Sequence, residues 1–464
     1  MVENLQSALS SDGFAAALRV VQTLRANDYA AYLVGGCVRD LLLGHAPKDY
    51  DVATDAHPEK VQQLFTKTHA VGAHFGVVIV CDETTDAQTE VATFRNDMGY
   101  EDGRRPTAVS YADTPEDDVA RRDFTINGMM LDPVGLTAQN IDAKVLDFVN
   151  GREDLRDGIV RAIGDPAVRF EEDKLRMLRA VRFAARFGFA LEEDTYSAIH
   201  DNAAKIIQVS RERVRDELTR MLIEGHARKA FEMLDATGLL KEVLPEVAKM
   251  KGVEQPPQFH PEGDVWVHTL LVLEKLPAGC SMELGWAALL HDVGKPPTFR
   301  APDPAQPGDR IRFNGHAEVG TTMTRAICNR LRMSNEETEQ IALLVANHMR
   351  FGDVMEMKPA TLKRFFRLPK FDEHLQLHWM DASSAHGDLR LYDYAKDKYE
   401  NAPAEEIKPA LFVSGRDLID AGLKPGPRFK ELLHTIEDAQ LEGRITSKEE
   451  GLALLRQLTA SDTA

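Results

Sequence analysis

The sequence predicts an α+β protein: an N-terminal head on a mixed β-sheet, followed by a chain that is all helix. Two observations carry that prediction. Short β-rich runs recur between about 30 and 150, namely Tyr32 to Val34, Tyr50 to Thr54, Val77 to Cys81, Glu90 to Phe94 and Val145 to Val149. After Gly151 that signal fades, and through residues 168–245 Leu, Met, Ala and Arg recur at spacings of three and four, as successive helices require. At 464 residues the chain is also too long for one ordinary core.

In chain order, Ser10-Ser11-Asp12 is a capping cluster ahead of the helical period Phe14 to Val21, expected to pack behind the first strand. Helical pieces such as Pro58 to Thr66 separate the strands. The composition change puts the head at 1–155 and a helical neck and body at 156–250. A Pro- and Gly-rich segment, Gly252 to Gly263, sets a second boundary near 255. A further helical domain then covers 255–390, interrupted by the proline-rich loop Pro296 to Gly308. Residues 391–464 form a helical tail with a break at Lys424 to Pro427.

The 56 basic and 74 acidic residues leave a formal charge of -18, which argues against indiscriminate binding to nucleic acid or anionic membrane. Any nucleic-acid site must be a local basic strip. The arginines at 161, 169, 176, 179, 182, 186, 211, 213 and 215 are the expected one. Cys37, Cys81, Cys280 and Cys328 are scattered, suggesting neither a disulfide framework nor a thiolate zinc site. Met1-Val2-Glu3-Asn4 lacks the basic start of an export signal, and no apolar run approaches the roughly 20 residues that span a bilayer. A cytoplasmic protein without membrane contact is expected, and no stable protein partner is evident.

The most informative stretch is Tyr32-Leu-Val-Gly35-Gly36-Cys-Val-Arg39-Asp40, followed by Lys48-Asp49-Tyr50-Asp51-Val52. Alternate side chains of a strand share a face, so Asp49 and Asp51 project together while Tyr50 points away. Adjacent carboxylates call for a cation, and Mg2+ suits them because it takes oxygen ligands and keeps positions for phosphate oxygens. Gly36 with Gly35 lets backbone approach a triphosphate, and Arg39 would supply a charged donor. Glu90 is the candidate third carboxylate, with an ordinary strand glutamate as the alternative.

The string from Leu33 to Thr54 resembles the signature of the polymerase β superfamily, in the branch of bacterial class II tRNA CCA-adding enzymes and poly(A) polymerases. The resemblance continues through Tyr100 to Pro106, Arg121-Arg122-Asp123-Phe124-Thr125-Ile126-Asn127, Glu172-Asp173-Lys-Leu-Arg176 and Ser210 to Glu217, covering about the first 220 residues. It implies that Asp49, Asp51 and Glu90 are catalytic, that Arg122 contacts the incoming nucleotide, and that Tyr100 to Pro106 is a loop associated with adding the terminal A. It further implies that Asp173 and Arg176 read the base. A carboxylate accepts from the exocyclic amine of C and A, and guanidinium donates to ring acceptors. The expected helix over 168–187 puts Asp173 and Arg176 near one face. Arg179 and Arg182 are also nucleotide-binding by resemblance, although helical geometry turns Arg182 roughly opposite Asp173.

Further on, His268, the pair His291-Asp292, His316, His348 and Asp381 lie in helical sequence, and their order, with Trp286 to Lys295, resembles the HD phosphohydrolase superfamily. Imidazole mixed with carboxylate suits a divalent metal, of unstated identity, that activates water against a phosphate ester. His268, His291, Asp292 and Asp381 are the first metal set, and His316 and His348 hold a second ion or contact phosphate. The expected function is therefore a tRNA nucleotidyltransferase that builds or repairs the 3'-terminal CCA from CTP and ATP, with possible hydrolysis at RNA ends. A poly(A) polymerase or A-adding enzyme of the same family is an alternative. An HD phosphohydrolase with an RNA-binding N-terminal domain is the alternative of another class.

Overall fold

The computed structural model describes residues 2–69, 76–100, 106–306, 308–403 and 407–460. The chain divides into two compact units, Met1–Ala248 and Lys249–Ala464.

The first unit is built on a seven-stranded sheet. Its strands are β1 (Ala31–Val34), β2 (Tyr50–Thr54), β3 (Thr68–His69), β4 (Val77–Cys81), β5 (Gln88–Thr93), β8 (Met129–Leu131) and β9 (Val145–Asp147), while β6 (Arg95–Tyr100) and β7 (Pro106–Tyr111) form a separate hairpin. The spatial order is β3-β4-β5-β2-β1-β8-β9. The sheet is mixed because β2 runs antiparallel to β1 but parallel to β5. Helix Asp12–Arg25 covers one face, capped by Ser11, whose hydroxyl accepts from the Phe14 amide at 3.2 Å. Tyr50 is buried on that side, edge-on to Phe14, with its hydroxyl donating to the Ala8 carbonyl at 3.1 Å. The carboxylates flanking Tyr50 are thereby turned to the other face. Val34, Ala53, Phe94, Val119, Met130 and Ile163 form a core cluster there.

Two sequence expectations change. The expected helix over 168–187 is two helices, Pro166–Glu172 and Leu175–Phe187, broken at Asp173, whose backbone is extended (φ -141°, ψ 103°). The Asp173 carboxylate accepts from the Leu175 amide at 3.0 Å, a local bond that competes with helix continuation. The neck is also not wholly helical, because Ile159–Val160 and Ala190–Leu191 pair as a short parallel ladder. Residues 101–105 of the expected Tyr100 to Pro106 loop lie outside the described residues.

The second unit is helical. Helices Val265–Glu274, Met282–Leu290, His316–Arg330, Asn335–Asn347 and Phe371–Ser384 carry the histidines and aspartates or brace them. Met282–Leu290 is apolar almost all round and buried from Leu284 to Leu290, as befits the central helix of a bundle. Helix Arg390–Glu400 packs through Ala395 against Phe351, Phe365 and Phe371. Helices Pro427–Leu441 and Lys448–Ala460 share a separate cluster of Leu432, Ile436 and Leu455. Arg364 and Arg367 of this unit pair with Glu437 and tie that cluster down.

Candidate functional site

The first cluster grows from strand register. Asp51 on β2 pairs with Glu90 on the parallel β5, so the two carboxylates lie side by side, and Asp49 immediately precedes β2. Asp49 and Glu90 are exposed and Asp51 is half-buried. Burial, then the charges of Glu90 and Asp49, push the Asp51 carboxyl up to about 6 against the opposing pull of Arg122. Three like charges in a partly desolvated cleft repel one another, and a divalent cation relieves that repulsion. The donor set is all oxygen, as Mg2+ requires.

Gly35 ends β1 with φ +79°, a conformation open to glycine, and caps helix Gly36–Leu42. A Cβ there would stand in ordinary contact, 3.4 Å from Arg122 Nη1 and 4.0 Å from Asp51 Oδ2, so the glycine turn lies between the guanidinium and the carboxylate cluster. Arg122 is aimed by Asp118, a fully buried carboxylate that accepts from its Nη2 at 2.8 Å and from Arg121 Nη2 at 2.6 Å. Burial would raise Asp118, but the two arginines outweigh it and hold it below the usual carboxylate range. Arg39 behaves differently from a free phosphate donor. It is buried, donates to Asp40 and Asn127, and lies over the Phe187 ring at 4.6 Å.

Asp173 and Arg176 are both anchored by neighbours. Asp173 receives a two-pronged grip from Arg213 at 2.8 and 3.2 Å. Arg176 donates to Glu172 at 2.7 Å and to the Arg121 carbonyl at 3.1 Å, which joins it to the Arg122 segment. Arg179 binds Asp123 at 2.6 Å, and although burial opposes it, Arg179 with other donors holds Asp123 down at about 2. Arg182 points elsewhere: its Nε donates to Glu217 at 2.6 Å, and both side chains are 5% exposed. The expected basic strip is thus largely internal ion pairing. Arg161, Arg169, Arg186 and Arg215 pair with Asp154, Glu172, Glu224 and Asp216. These charges are engaged by carboxylates of the same unit, within a helix or between neighbouring elements, instead of standing free for phosphates.

In the second unit the six predicted residues converge. His268 Nε2 lies 3.0 Å from Asp381 Oδ1 and 3.3 Å from His291 Nε2, and His316 Nε2 lies 3.2 Å from His348 Nε2. Asp292 sits between, with Oδ2 3.3 Å from His291 and Oδ1 3.6 Å from His316. Each Nδ1 meets an acceptor: Glu262 for His268 (2.7 Å), and the carbonyls of Ala288, Phe313 and Val345 for His291, His316 and His348 (2.9, 2.9 and 2.6 Å). Such acceptors keep the proton on Nδ1 and aim the Nε2 lone pair inward, the arrangement of metal-ligating histidine. The groups His268/His291/Asp381 and Asp292/His316/His348 each bring their ligand atoms within 4.8 Å. Asp292 therefore groups with His316 and His348 while still facing the first set, and its two oxygens suit a bridge. Burial would keep His268 neutral, but Asp381 and Glu262 raise it to about 9, whereas burial drives His348 down to about 4. A divalent cation held by His268, His291 and Asp381 would displace the His268 proton.

Three segments match known families: residues 31–161 the poly A polymerase head domain, 188–251 the probable RNA and SrmB-binding site of polymerase A, and 265–385 the HD domain. The chain is 31% identical to the CCA-adding enzyme of Lactobacillus helveticus, over 95% of this chain and 96% of that one. The chain belongs to the CCA-adding enzyme family. It is also 39% identical to the CCA-adding enzyme of Geobacillus stearothermophilus, over 94% and 95% of the two chains. The solved structure of the Bacillus stearothermophilus CCA-adding enzyme in complex with CTP superposes with a TM-score of 0.72 at 27% identity, covering 98% of this chain and all of that one. Among the described residues no helix is long and apolar enough to cross a membrane.

For this member of the CCA-adding family, several site residues escaped the sequence reading. Asp118 was legible only as a carboxylate three and four residues before Arg121 and Arg122, a helical pairing distance. Lys295, whose Nζ lies 2.7 Å from Asp292 Oδ2 and donates to Gln255 at 2.6 Å, sits three residues after Asp292. Glu262 had no signal, because its role is to hold His268 from behind.

Proposed function

We propose that the first unit transfers nucleotides from CTP and ATP to the 3' end of tRNA, with Asp49, Asp51 and Glu90 as the carboxylates that hold magnesium. The observation that carries this reading is the Asp51–Glu90 pairing with Arg122 brought over Gly35 beside it. Bound there, Mg2+ would supply charge neutralisation at the triphosphate and a more acidic primer hydroxyl. Arg122, aimed by Asp118, stabilises negative charge on the nucleotide phosphates. Asp173 and Arg176 present one acceptor and one donor array to the base, and their anchoring by Arg213 and Glu172 supplies the rigidity a protein template needs. Arg179 supports this face through Asp123, and Arg39 supports the glycine turn through Asp40 and Asn127.

The second unit is read as a metal-dependent phosphohydrolase acting on phosphate-bearing RNA ends, in the same cytoplasmic pool of tRNA. His268, His291 and Asp381 would hold one divalent ion, His316 and His348 another, with Asp292 between them. The metals would supply an activated water. Lys295 balances the charge of Asp292 and keeps it in place.

The deciding assay gives purified protein tRNA transcripts that are complete, lack only the last nucleotide, or lack the whole terminal CCA, each with labelled CTP or ATP. Addition of C, C and A in order is expected. Acceptance of ATP alone at every terminus replaces this reading with an A-adding or poly(A) enzyme. Asp49→Ala abolishes incorporation in a folded protein, and retained incorporation refutes the site. Phosphatase and phosphodiesterase assays with several divalent metals test the second unit, where activity lost in Asp292→Ala is the expected result.

A further inference from the structure

A cavity of about 640 Å³ opens beside the histidine and aspartate cluster, and Asp292, His316, Phe259 and Arg310 all line it. Ligand sites for nucleotide-sized molecules span roughly 300–1,000 Å³. Phe259 and Arg310 come from the two segments that the sequence marked only as interruptions, Gly252 to Gly263 and the proline-rich loop that begins at Pro296. Phe259 is 44% exposed, so a molecule in the cavity can reach its ring. The Arg310 guanidinium, itself exposed, lies over that ring 4.9 Å from its centre.

A single exposed phenylalanine is ordinary on a protein surface. This one, however, is fixed in place on both sides. The Phe259 amide donates to the Pro256 carbonyl at 3.0 Å, and the adjacent His260 meets Glu262 Oε1 at 2.8 Å. The same oxygen lies 2.7 Å from His268 Nδ1, so one carboxylate ties the Phe259 segment to the histidine cluster. Arg310 sits in a hairpin closed by two backbone bonds between Arg300 and Arg312, at 2.9 and 3.1 Å. Next to it, Asp309 accepts from the Asp303 amide at 2.8 Å and pairs with Arg312 at 2.7 Å, which sets the course of the hairpin. A flat ring backed by a cation, exposed within the cavity and held on a rigid support, is a platform for a flat heterocycle. Every nucleobase has a π-face, so such a stack is tolerant of base identity.

We infer that Phe259, backed by Arg310, stacks the base of a nucleoside phosphate whose phosphate group lies at Asp292 and its histidines. The inference rests on the hydrolase reading of the second unit and adds the substrate class of that site: a phosphate carried by a nucleoside, preferred over one carried by a simple alcohol, with little choice among bases.

The test uses the full chain with Mg2+ or Mn2+ and two pairs of substrates. One pair is an RNA oligonucleotide ending in a 3'-phosphate and the same oligonucleotide lacking its terminal base. The other is adenosine 3'-monophosphate and glycerol 2-phosphate, which has no base. Because the Phe259 ring is exposed, Phe259→Ala is compatible with folding, and it is expected to lower kcat/KM for the base-bearing member of a pair roughly tenfold, the scale of one lost base stack. The base-free member is expected to be unaffected, and Phe259→Trp to keep the wild-type preference. A selective fall in both pairs upholds the inference for the nucleotide itself, and one confined to the oligonucleotides upholds it for an RNA end. Equal loss on base-bearing and base-free substrates, or no loss, overturns it. Should the wild-type chain hydrolyse none of the four, the hydrolase reading fails and binding decides the role of Phe259. The native tryptophans, Trp266, Trp286 and Trp379, all lie in the second unit and are shared by wild type and Phe259→Trp, so subtracting the wild-type spectrum isolates the new indole. Quenching of that indole by adenosine 3'-monophosphate but not by glycerol 2-phosphate upholds the inference. No quenching, or equal quenching by both, overturns it.

Discussion

Gly294→Ala offers a sharp test of how the second unit is assembled. Gly294 has φ -80°, so alanine suits its backbone conformation and any effect must come from space. A Cβ at this position would lie 2.1 Å from the His316 carbonyl oxygen and 2.6 Å from the Gly320 amide nitrogen. Opening the shorter contact from 2.1 Å to an ordinary 3.4 Å requires a backbone shift of about 1.3 Å. Both sides of the contact belong to the histidine and aspartate cluster: Asp292 lies two residues before Gly294, and His316 supplies the clashing carbonyl. Overpacking of this kind costs about 1–3 kcal/mol. For a unit of this size that corresponds to a melting midpoint roughly 2–12 °C lower. Ligand geometry tolerates only about 0.5 Å, so metal affinity should fall by roughly 10–100-fold. Tryptophan fluorescence follows unfolding of this unit, and calorimetric titration with Mn2+ follows the metal. Nucleotide incorporation by the first unit is the internal control and should be unchanged. A Gly294→Ala protein with the wild-type midpoint and wild-type metal affinity would refute the close approach on which this reasoning depends.

Other perturbations separate support from contact. Arg182→Ala leaves the buried Glu217 with only the exposed Arg220 at 3.9 Å, so urea unfolding should show a loss of up to about 3–5 kcal/mol, with KM for CTP and ATP little altered below the transition. A raised KM at full stability would return Arg182 to the nucleotide. Asp118→Ala releases Arg121 and Arg122, which are 17% and 18% exposed and can turn to water, so the stability cost is held to about 1–3 kcal/mol while KM for both nucleotides rises about tenfold. Unchanged KM values would remove Asp118 from the positioning of Arg122. The Asp51 carboxyl, raised to about 6, implies that protons compete with Mg2+ as pH falls through that value. The acid limb of incorporation should therefore move to lower pH at higher Mg2+. Because its folded value is raised, Asp51 in the metal-free protein destabilises the fold as pH rises through about 6. Asp51→Asn should raise the melting midpoint of the metal-free protein at pH 8 and do little at pH 4, and equal effects at both would contradict this.

The β-rich runs and the composition change near Gly151 were readable because strand periodicity and helix periodicity differ locally. The strand Met129–Leu131 was not, since all three residues are buried and a three-residue apolar run has no alternation to detect. The helix break at Asp173 was hidden for a related reason. Apolar spacing continues across it, and the interruption comes from a carboxylate bonding to the amide two residues on.

By itself the chain determined which chemistries were present: oxygen ligands at Asp49, Asp51 and Glu90, and imidazoles and carboxylates in order from His268 to Asp381. Side-chain identity is enough for that, because it sets what a group can donate, accept or ligate. Tertiary structure alone decided the partners. Arg179 meets Asp123, Arg182 meets Glu217 and Arg213 meets Asp173 across 56, 35 and 40 residues, turning an apparent basic strip into bracing. It also decided that three of the four clustered histidines are aimed by backbone carbonyls. Every residue carries a carbonyl, so no sequence pattern marks the few that packing brings within hydrogen-bond reach.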